Sequence, residues 1–398
     1  MAGRKFKMHW WQDSLYRMLV VLALIILYSL IFNKTPIEYY EELTISNTEE
    51  SKTVYPRPYS DEHITVNAII ADPRFKQLAV FDRDSLLANS FSSIQKNEAS
   101  RLNGDPPKRR ERGVWLWTPV LDITPRYRNT IISSARKNNM THIYMSIDTY
   151  LDIYVMPDGE EKTKIKKEFD SSVENFIIEA NKVGIEVDAE GGWRNWAENG
   201  HSYKAFAVLD YAIRFNKTHK NKFRAFQYDV EPYMLEGYKK DKKAVLSNFL
   251  DLVNVTVSRL NRSDLEFSVV IPEFYDDSGE TPKFTYRGKS GYTVNHLLRV
   301  LDRRPMSQII VMSYRNFSLG KNGSIEISKD EIAEANKHST KIILAQETGD
   351  VEPPYITFHK TSRKHYEKQV ALLQNAFSSD KSFGGIAIHY ANAFMELK

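Results

Sequence analysis

From Gly113 to the end of the chain, short apolar runs alternate with segments in which apolar residues recur every three or four positions. Short runs that are apolar on both faces predict strands of a covered parallel sheet, and the longer spacing predicts amphipathic helices. Strands are predicted at 113–117, 141–148, 184–192, 223–232, 265–274, 308–314, 341–349 and 383–390. Because eight parallel strands can close on themselves, the pattern predicts an α/β fold, a (β/α)8 or TIM barrel over 113–398.

Helical patterns fill the spaces between these strands. The clearest cover 124–139, 169–183, 243–260, 328–338 and 362–377, and a short final helix lies within 391–398. Since that last helix is too short to cover its strands, we expect part of residues 66–100 to do so. An open doubly wound sheet is the alternative, but it usually carries a glycine-rich phosphate loop after its first strand, which this sequence lacks.

The N-terminal part of the chain contains an apolar segment at 15–32, uncharged from Met18 onward. Its length is close to the minimum for spanning a bilayer, and a basic, tryptophan-containing flank over 4–11 precedes it. This predicts a single-pass signal-anchor with residues 1–14 as a cytoplasmic tail. A stem over 33–112 and the barrel would then lie outside the cytosol, in the periplasm, the extracellular space or a secretory lumen. A cleaved signal peptide and a buried core helix are the alternatives.

Charge and cysteine content exclude several classes of function. The net charge of +4, from 55 basic and 51 acidic residues, is too balanced to indicate nucleic-acid binding. The basic run at 108–112 is interpreted as a solvated linker. The absence of cysteine excludes disulfides, thiolate catalysis and cysteine-ligated zinc. No metal-binding spacing is present, so no metal or cofactor is predicted, and the oligomeric state is left open.

The predicted strand ends are rich in carboxylates and aromatic residues. In a barrel of this kind the active site is built at the carboxyl ends of the strands. Paired carboxylates cleave glycosidic bonds and indole rings stack on sugars, so this composition favours a carbohydrate partner. The candidate substrate-binding residues are Trp115, Trp117, Asp148, Asp188, Glu190, Trp193, Trp196, Glu273, Tyr275, Arg315, His389 and Tyr390.

Asp229-Val230-Glu231 is the strongest catalytic signal. Strand alternation places Asp229 and Glu231 on the same face. Two neighbouring carboxylates repel, which raises the pKa of one of them and produces the protonated carboxyl that a general acid requires. The competing interpretation is a helix cap combined with a salt bridge.

This pair, together with Met312-Ser313-Tyr314, resembles the motifs of the chitinase-like family 18 glycosidases. The resemblance implies that Glu231 is the acid/base, that Asp229 orients the substrate acetamido group and that Tyr314 hydrogen-bonds to it. The sequence departs from the family pattern at Arg224, Gln227, Arg315 and His389.

A second resemblance, to the large retaining glycosidase clan, is based on Glu231-Pro232 and Glu347. It implies the same acid/base but makes Glu347 the nucleophile, where the first resemblance implies the acetamide of the substrate. Both predict a retaining glycoside hydrolase acting on a polysaccharide or glycoconjugate. The apolar segment at 15–32 adds the prediction that this enzyme is anchored in the membrane and acts outside the cytosol.

Two other functional classes stay open at this point. One is a non-catalytic barrel that binds glycans or a protein. The other is a metal-dependent deacetylase or hydrolase that uses Asp148, Asp188 and His389.

Overall fold

The computed structural model describes residues 110–198, 200–261 and 263–398. Eight parallel strands form a closed barrel in which each strand pairs with its neighbours in sequence and the last pairs with the first. The strands are β1 (Glu111–Leu116), β2 (His142–Ser146), β3 (Glu186–Gly191), β4 (Ala225–Tyr228), β5 (Glu266–Pro272), β6 (Ser307–Met312), β7 (Lys341–Glu347) and β8 (Phe383–His389). The predicted (β/α)8 barrel is therefore confirmed.

The predicted tail, the apolar segment at 15–32 and nearly all of the stem, including 66–100, lie outside the described residues. Within the described ranges, no helix has the length and apolar character needed to cross a bilayer.

Ten helices occur in the described residues. They are α1 (Pro125–Lys137), α2 (Tyr150–Val155), α3 (Glu160–Lys182), α4 (Ser202–Thr218), α5 (Glu236–Lys240), α6 (Lys242–Leu260), α7 (Thr293–Leu301), α8 (Lys329–Ala335), α9 (Arg363–Ala376) and α10 (Ala391–Glu396). The sequence pattern did not identify α2, α4, α5 and α7. It also missed an antiparallel hairpin, Phe284–Tyr286 with Lys289–Gly291, which follows β5.

Side-chain caps fix the starts of three helices. Thr124 accepts a hydrogen bond from the Tyr127 amide ahead of α1, whose first residue is Pro125. Asp241 caps α6 and Ser362 caps α9 in the same way. Such caps satisfy amides that the first helical turn leaves without partners. They therefore set the point at which the chain leaves each strand-to-helix loop.

Apolar side chains fill the middle of the barrel. Trp115 is 1% exposed and packs with Tyr144, Val270, Ile310 and Ile343. Its indole nitrogen donates a 2.6 Å hydrogen bond to the Gln227 side chain. This packing closes the barrel between its two ends, so Trp115 belongs to the core and not to a sugar-binding surface, contrary to prediction.

An ion network occupies the amino end of the barrel. Arg224 donates to both carboxylate oxygens of Asp188, at 2.9 and 2.5 Å, and lies 2.8 Å from Glu266 and 3.6 Å from Glu111. Burial lowers the pKa of Arg224, but the nearby carboxylates, Asp188 first, more than compensate and raise it. The prediction that Asp188 lies at the active site is therefore wrong. Its carboxylate is neutralised at the opposite end of the barrel.

The residues predicted as a solvated linker begin the first strand instead. β1 starts at Glu111, two residues before the predicted boundary, and the Tyr144 hydroxyl donates to Glu111 at 2.7 Å. Arg112 forms a 2.7 Å ion pair with Glu367. Arg110 donates to the backbone carbonyl of Phe383. The linker interpretation fails for these three residues because they close β1 against β8 and its surroundings.

Arg224→Leu should lower the free energy of unfolding by about 3–5 kcal/mol, because it leaves the fully buried Asp188 without its cation. Arg259→Leu is the matched control. It removes a half-exposed pair with Asp210, 3.2 Å away, and should cost less than about 1 kcal/mol. Chemical denaturation of the purified variants measures both values. Equal losses would contradict a stabilising role for the amino-end network.

Candidate active site

Eight side chains from seven strands or the loops that follow them meet at the carboxyl end of the barrel. This barrel mouth consists of Trp117, Asp148, Glu190, Asp229, Glu231, Tyr314, Glu347 and His389, none more than 9% exposed. All eight were predicted as site residues. The mouth therefore concentrates carboxyl groups in a poorly hydrated space, where their protonation depends on their immediate neighbours.

Asp229 and Glu231 follow directly after β4. Gln227 points into the barrel, where it binds Trp115, and alternation directs the next two odd-numbered residues to the same side, as predicted. Gly192 lets the loop after β3 pass close to this segment, since a Cβ there would lie 1.8 Å from the Asp229 carbonyl oxygen. Only glycine permits this approach.

Tyr233 holds the carboxyl group of Glu231. Its hydroxyl donates a 2.5 Å hydrogen bond to Oε1 of Glu231, and the short 3-10 turn Pro232–Met234 brings it back to the mouth. Burial, and next the charge of Glu231, raise the pKa of the Tyr233 phenol well above its ordinary value. The phenol is therefore a proton donor at neutral pH. The sequence pattern does not predict this residue, because a turn has no periodicity.

Tyr314 lies near carboxyl groups from two parts of the mouth, Glu347 of β7 and the Asp229–Glu231 pair after β4. Its pKa is raised well above the ordinary value, first by burial and then by the charges of Glu347, Asp229 and Glu231. A neutral hydroxyl thus lies among three carboxyl groups. This arrangement supplies a hydrogen-bond donor next to the acidic pair of the fourth strand.

Three carboxyl groups from adjacent strands share one side of the mouth. Burial, followed by the charges of Asp148 and Asp229, raises the pKa of Glu190 well above its ordinary value. Ser146 donates to Asp148 at 2.8 Å and also hydrogen-bonds Glu190. The carboxyl with a raised pKa is thus Glu190 of β3. For the Asp229–Glu231 pair itself, an elevated pKa stays a prediction.

Glu347 is fully buried, and both of its oxygens accept hydrogen bonds. Oε2 lies 2.6 Å from Nδ1 of His389, and Oε1 accepts from the Gly349 amide at 2.5 Å. The indole of Trp117 donates to Nε2 of His389 at 3.1 Å. Since an indole nitrogen can only donate, the imidazole proton belongs on Nδ1, facing Glu347. The three side chains form a continuous hydrogen-bonded chain.

The remaining aromatic candidates divide into core and accessible residues. Trp196 is 1% exposed and packs edge-on against Tyr228, and Tyr275 is 1% exposed between Phe274 and Phe249. Their predicted role as sugar-binding surfaces is wrong because both rings are enclosed by protein. Trp193 and Tyr390 are half-buried. Those two keep ring surface that a sugar could contact.

A cavity of about 420 Å³ lies next to the mouth. We call it the acidic pocket. Its lining includes Glu273, Asp276, Asp277, Tyr292, Arg315, Glu326 and Asp330. Two predicted site residues, Glu273 and Arg315, are thus located here, 3.6 Å apart. Because Arg315 follows Tyr314 directly and donates to its carbonyl at 2.7 Å, the pocket and the mouth share a wall.

The metal-dependent alternative lacks its ligand set. Asp188 is bound to Arg224 at the far end of the barrel, away from Asp148 and His389. Within 110–198, 200–261 and 263–398, no group of three or more histidine and carboxylate side chains could hold a metal ion.

Neither a family model nor a curated protein matches this chain. Solved structures do. It is similar to the spore cortex-lytic enzyme SleL of Bacillus megaterium (12% identity, 73% of this chain and 74% of that chain, TM-score 0.42). It is also similar to a GH18 chitinase of Cycas revoluta (12%, 71% and 95%, 0.44) and a family 1 β-glucosidase of Thermotoga maritima (10%, 71% and 88%, 0.46). Similarity at this level concerns the barrel, and the roles of individual residues depend on the geometry of the site.

Glu190→Gln should stabilise the protein at neutral pH and not at acidic pH. A carboxyl whose pKa is raised by folding contributes its stability below the unfolded pKa, about 4.3, and loses it as pH rises toward the folded value. The glutamine side chain cannot ionise, so the variant does not lose this stability as pH rises. We expect the melting temperature to rise by about 2–4 °C at pH 7 and to be unchanged near pH 4.

The exposed Glu168→Gln serves as the matched control and should follow the wild-type melting curve at both pH values. Thermal unfolding across this pH range measures the difference. A lower melting temperature for Glu190→Gln at pH 7 would mean that Glu190 is ionised and favourably paired.

Proposed function

We propose that this chain is a retaining glycoside hydrolase that acts on an N-acetylated amino sugar, with Glu231 as acid/base and the substrate acetamide as nucleophile. The observation that carries the proposal is that the buried Tyr314 hydroxyl lies close enough to Asp229 and Glu231 for their charges to raise its pKa. A carboxyl acid, a carboxylate for the acetamide N–H and a neutral hydroxyl for its oxygen are the groups that this chemistry requires.

The state of Glu347 favours this mechanism over the two-carboxylate one. A nucleophilic carboxylate needs an oxygen that can approach the sugar, and both oxygens of Glu347 already accept hydrogen bonds from His389 and Gly349. The carboxyl group is also 0% exposed. We therefore assign Glu347 a positioning role: it orients the imidazole of His389, against which the Tyr314 ring packs at 6.1 Å.

In the proposed reaction, Glu231 protonates the glycosidic oxygen as the bond to the anomeric carbon breaks. The acetamide oxygen attacks that carbon and forms a cyclic oxazolinium ion, while Asp229 accepts the N–H hydrogen bond and balances the positive charge. Tyr314 donates to the acetamide oxygen and orients it. Water then opens the ring after Glu231 removes its proton, which restores the acid and retains the configuration. Tyr233, bound to Glu231, orients its carboxyl group throughout.

We further propose that the segment at 15–32 anchors the chain in a membrane with the barrel outside the cytosol. The proposal is supported by the uncharged run from Met18 to Phe32 and the basic flank before it. Such an anchor would confine hydrolysis to glycans near the membrane surface.

Glu231→Gln should reduce turnover of N-acetylhexosaminides by about 10³-fold or more, since the amide cannot deliver a proton. Asp229→Asn and Tyr314→Phe should each cost about 10²-fold. Glu347→Gln is the discriminating variant: it should retain measurable activity without azide. Initial rates on fluorogenic glycosides with and without the acetamide give these values, and circular dichroism verifies folding.

Two results would contradict the proposal. Turnover of glycosides that lack the acetamide, together with loss of activity in Glu347→Gln restored by azide, would indicate a two-carboxylate mechanism. Absence of wild-type turnover on every glycan, with binding retained, would indicate a non-catalytic binding barrel.

Deletion of residues 1–32 should release the protein from the membrane fraction into the soluble one, because it removes the proposed anchor. In intact cells or right-side-out vesicles, external protease should degrade the barrel of the full-length chain. A barrel that is protected from protease until the membrane is permeabilised would contradict the proposed orientation.

A further inference from the structure

The two ends of the barrel differ in surface charge. The amino end is formed by connections that run from the last two residues of a helix to the first residue of the next barrel strand. Among the described residues, these connections expose eleven basic and two acidic side chains. The mouth-end connections run from the last residue of a strand to the second residue of the next helix, with α2 and α5 counted as connection. They expose twelve basic and eleven acidic side chains. Positive charge is thus concentrated at the amino end.

Most of this positive charge is not neutralised by neighbouring carboxylates. Four of the eleven basic side chains form ion pairs: Lys182, Lys222, Arg259 and Lys337. The other seven form no ion pair with any described residue, and we call them the basic face: Arg136, Lys137, Lys217, Lys220, Arg303, Lys341 and Lys381. They come from the connections into five of the eight strands. The basic face is therefore a broad surface and not a single site.

Met306 projects from the same end of the barrel. Its side chain is 67% exposed, whereas the other exposed large apolar side chains that are described lie between 40% and 48%. Its φ of 61° lies in the left-handed region, which a long apolar residue rarely occupies. Met306 follows Arg303 and the exposed Pro305 and directly precedes β6. An apolar side chain thus extends into solvent among cations.

A cavity of about 390 Å³ lies at this end of the barrel, but its lining carries both signs of charge. It includes Lys220 and Lys222 together with Glu186, Asp264 and Glu266. Such a lining does not select an anion, so it does not indicate a site for one small ligand. The attraction for negative charge belongs to the surface as a whole.

The chain enters the barrel on the side of the basic face. β1 begins at Glu111 and pairs in parallel with β2 and β8, so its first residue lies at the amino end. Residues 1–109, which include the proposed anchor, are therefore joined to the barrel there. Lysines combined with a projecting apolar side chain suit an anionic membrane surface. The cations attract the headgroups, and the apolar side chain enters the boundary between headgroups and acyl chains.

We propose that the basic face and Met306 dock on an anionic phospholipid surface, with the mouth directed away from the membrane. A lipid surface fits better than a nucleic acid, because the described amino-end connections expose no tyrosine, tryptophan or phenylalanine on which bases could stack. This goes beyond the proposed hydrolysis and does not depend on it. It adds to the proposed anchor a second membrane contact, which fixes the direction in which the mouth points.

The test uses the absence of cysteine from the chain, because Met306→Cys then creates a single site for an environment-sensitive fluorophore. The full-length chain is placed in nanodiscs of phosphatidylcholine with or without about 30% phosphatidylglycerol. Brominated acyl chains should quench the label in the anionic discs and leave it unquenched in the neutral ones. Salt at about 1 M, where the Debye length is about 3 Å, should remove the difference. A label at Leu121→Cys, 48% exposed after β1 at the mouth end, should stay unquenched in both.

A matched pair of charge reversals identifies the surface that docks. Lys217→Glu/Lys220→Glu changes the basic face, and Lys239→Glu/Lys240→Glu makes the same change in net charge at the mouth end. Both pairs include a lysine in the last turn of a helix. The first should lower the ratio of docked to undocked label about tenfold or more, because each lysine near the surface contributes attraction. The second should change this ratio less than about twofold. Circular dichroism verifies folding.

Three results would overturn the proposal. The Met306→Cys label could behave alike in anionic and neutral discs, or both double variants could lower the ratio equally. A response of this label to soluble polyphosphate, with none to lipid, would indicate an anionic polymer as the partner instead.

Failure of the other proposals is recorded separately. A full-length chain that does not insert into the discs rejects the anchor. The label is then measured on preformed vesicles of the same lipids, where quenching supports docking and its absence overturns it. Turnover of a soluble fluorogenic glycoside in detergent should be equal for both double variants, so loss of docking does not alter the test of the hydrolase.

Discussion

Removing carboxylates from water costs several kcal/mol per group unless a partner or a proton compensates, and the interior of this barrel meets that cost in three ways. Asp188 is neutralised by Arg224, which donates bidentate hydrogen bonds to its carboxylate. Glu347 is satisfied by His389 and a backbone amide. Glu190, which has acidic neighbours instead of a cation, keeps a proton. Of these three carboxyl groups, only Glu190 is left able to exchange protons.

The sequence was sufficient to predict the parts of the structure that depend on periodicity. Every predicted apolar run overlaps a barrel strand, because both faces of a covered parallel strand must be apolar. Alternation also predicted that Asp229 and Glu231 lie together, and both carboxyl groups are near Tyr314 and Tyr233, although the two residues follow the end of β4. These predictions needed no knowledge of the loops.

How far along a strand a side chain lies was harder to predict than the face of the strand from which it points. Asp188 and Glu190 both point inward from β3, and Glu190 lies nearer the mouth because it comes later in the strand, but the pattern does not tell how far below the mouth Asp188 lies. The role of Asp188 depends on Arg224, which directly precedes β4 and forms an ion pair with the Asp188 carboxylate. Trp115 was misplaced for the same reason: it lies one layer below Trp117. Tyr233 and the acidic pocket are formed by turns, which have no period to detect.

The position of Trp115 explains why the mouth stays acidic. Its ring and the amide of Gln227 separate the amino-end network from the mouth, so Arg224 cannot neutralise the carboxyl groups above. Arg224 and Gln227 occupy the positions where the family 18 pattern has further aspartates. Asp148 and Glu190 on the preceding strands place further carboxyl groups next to Asp229. Negative charge at the mouth must then be met by protons, and a carboxyl group that holds a proton is what general acid catalysis requires.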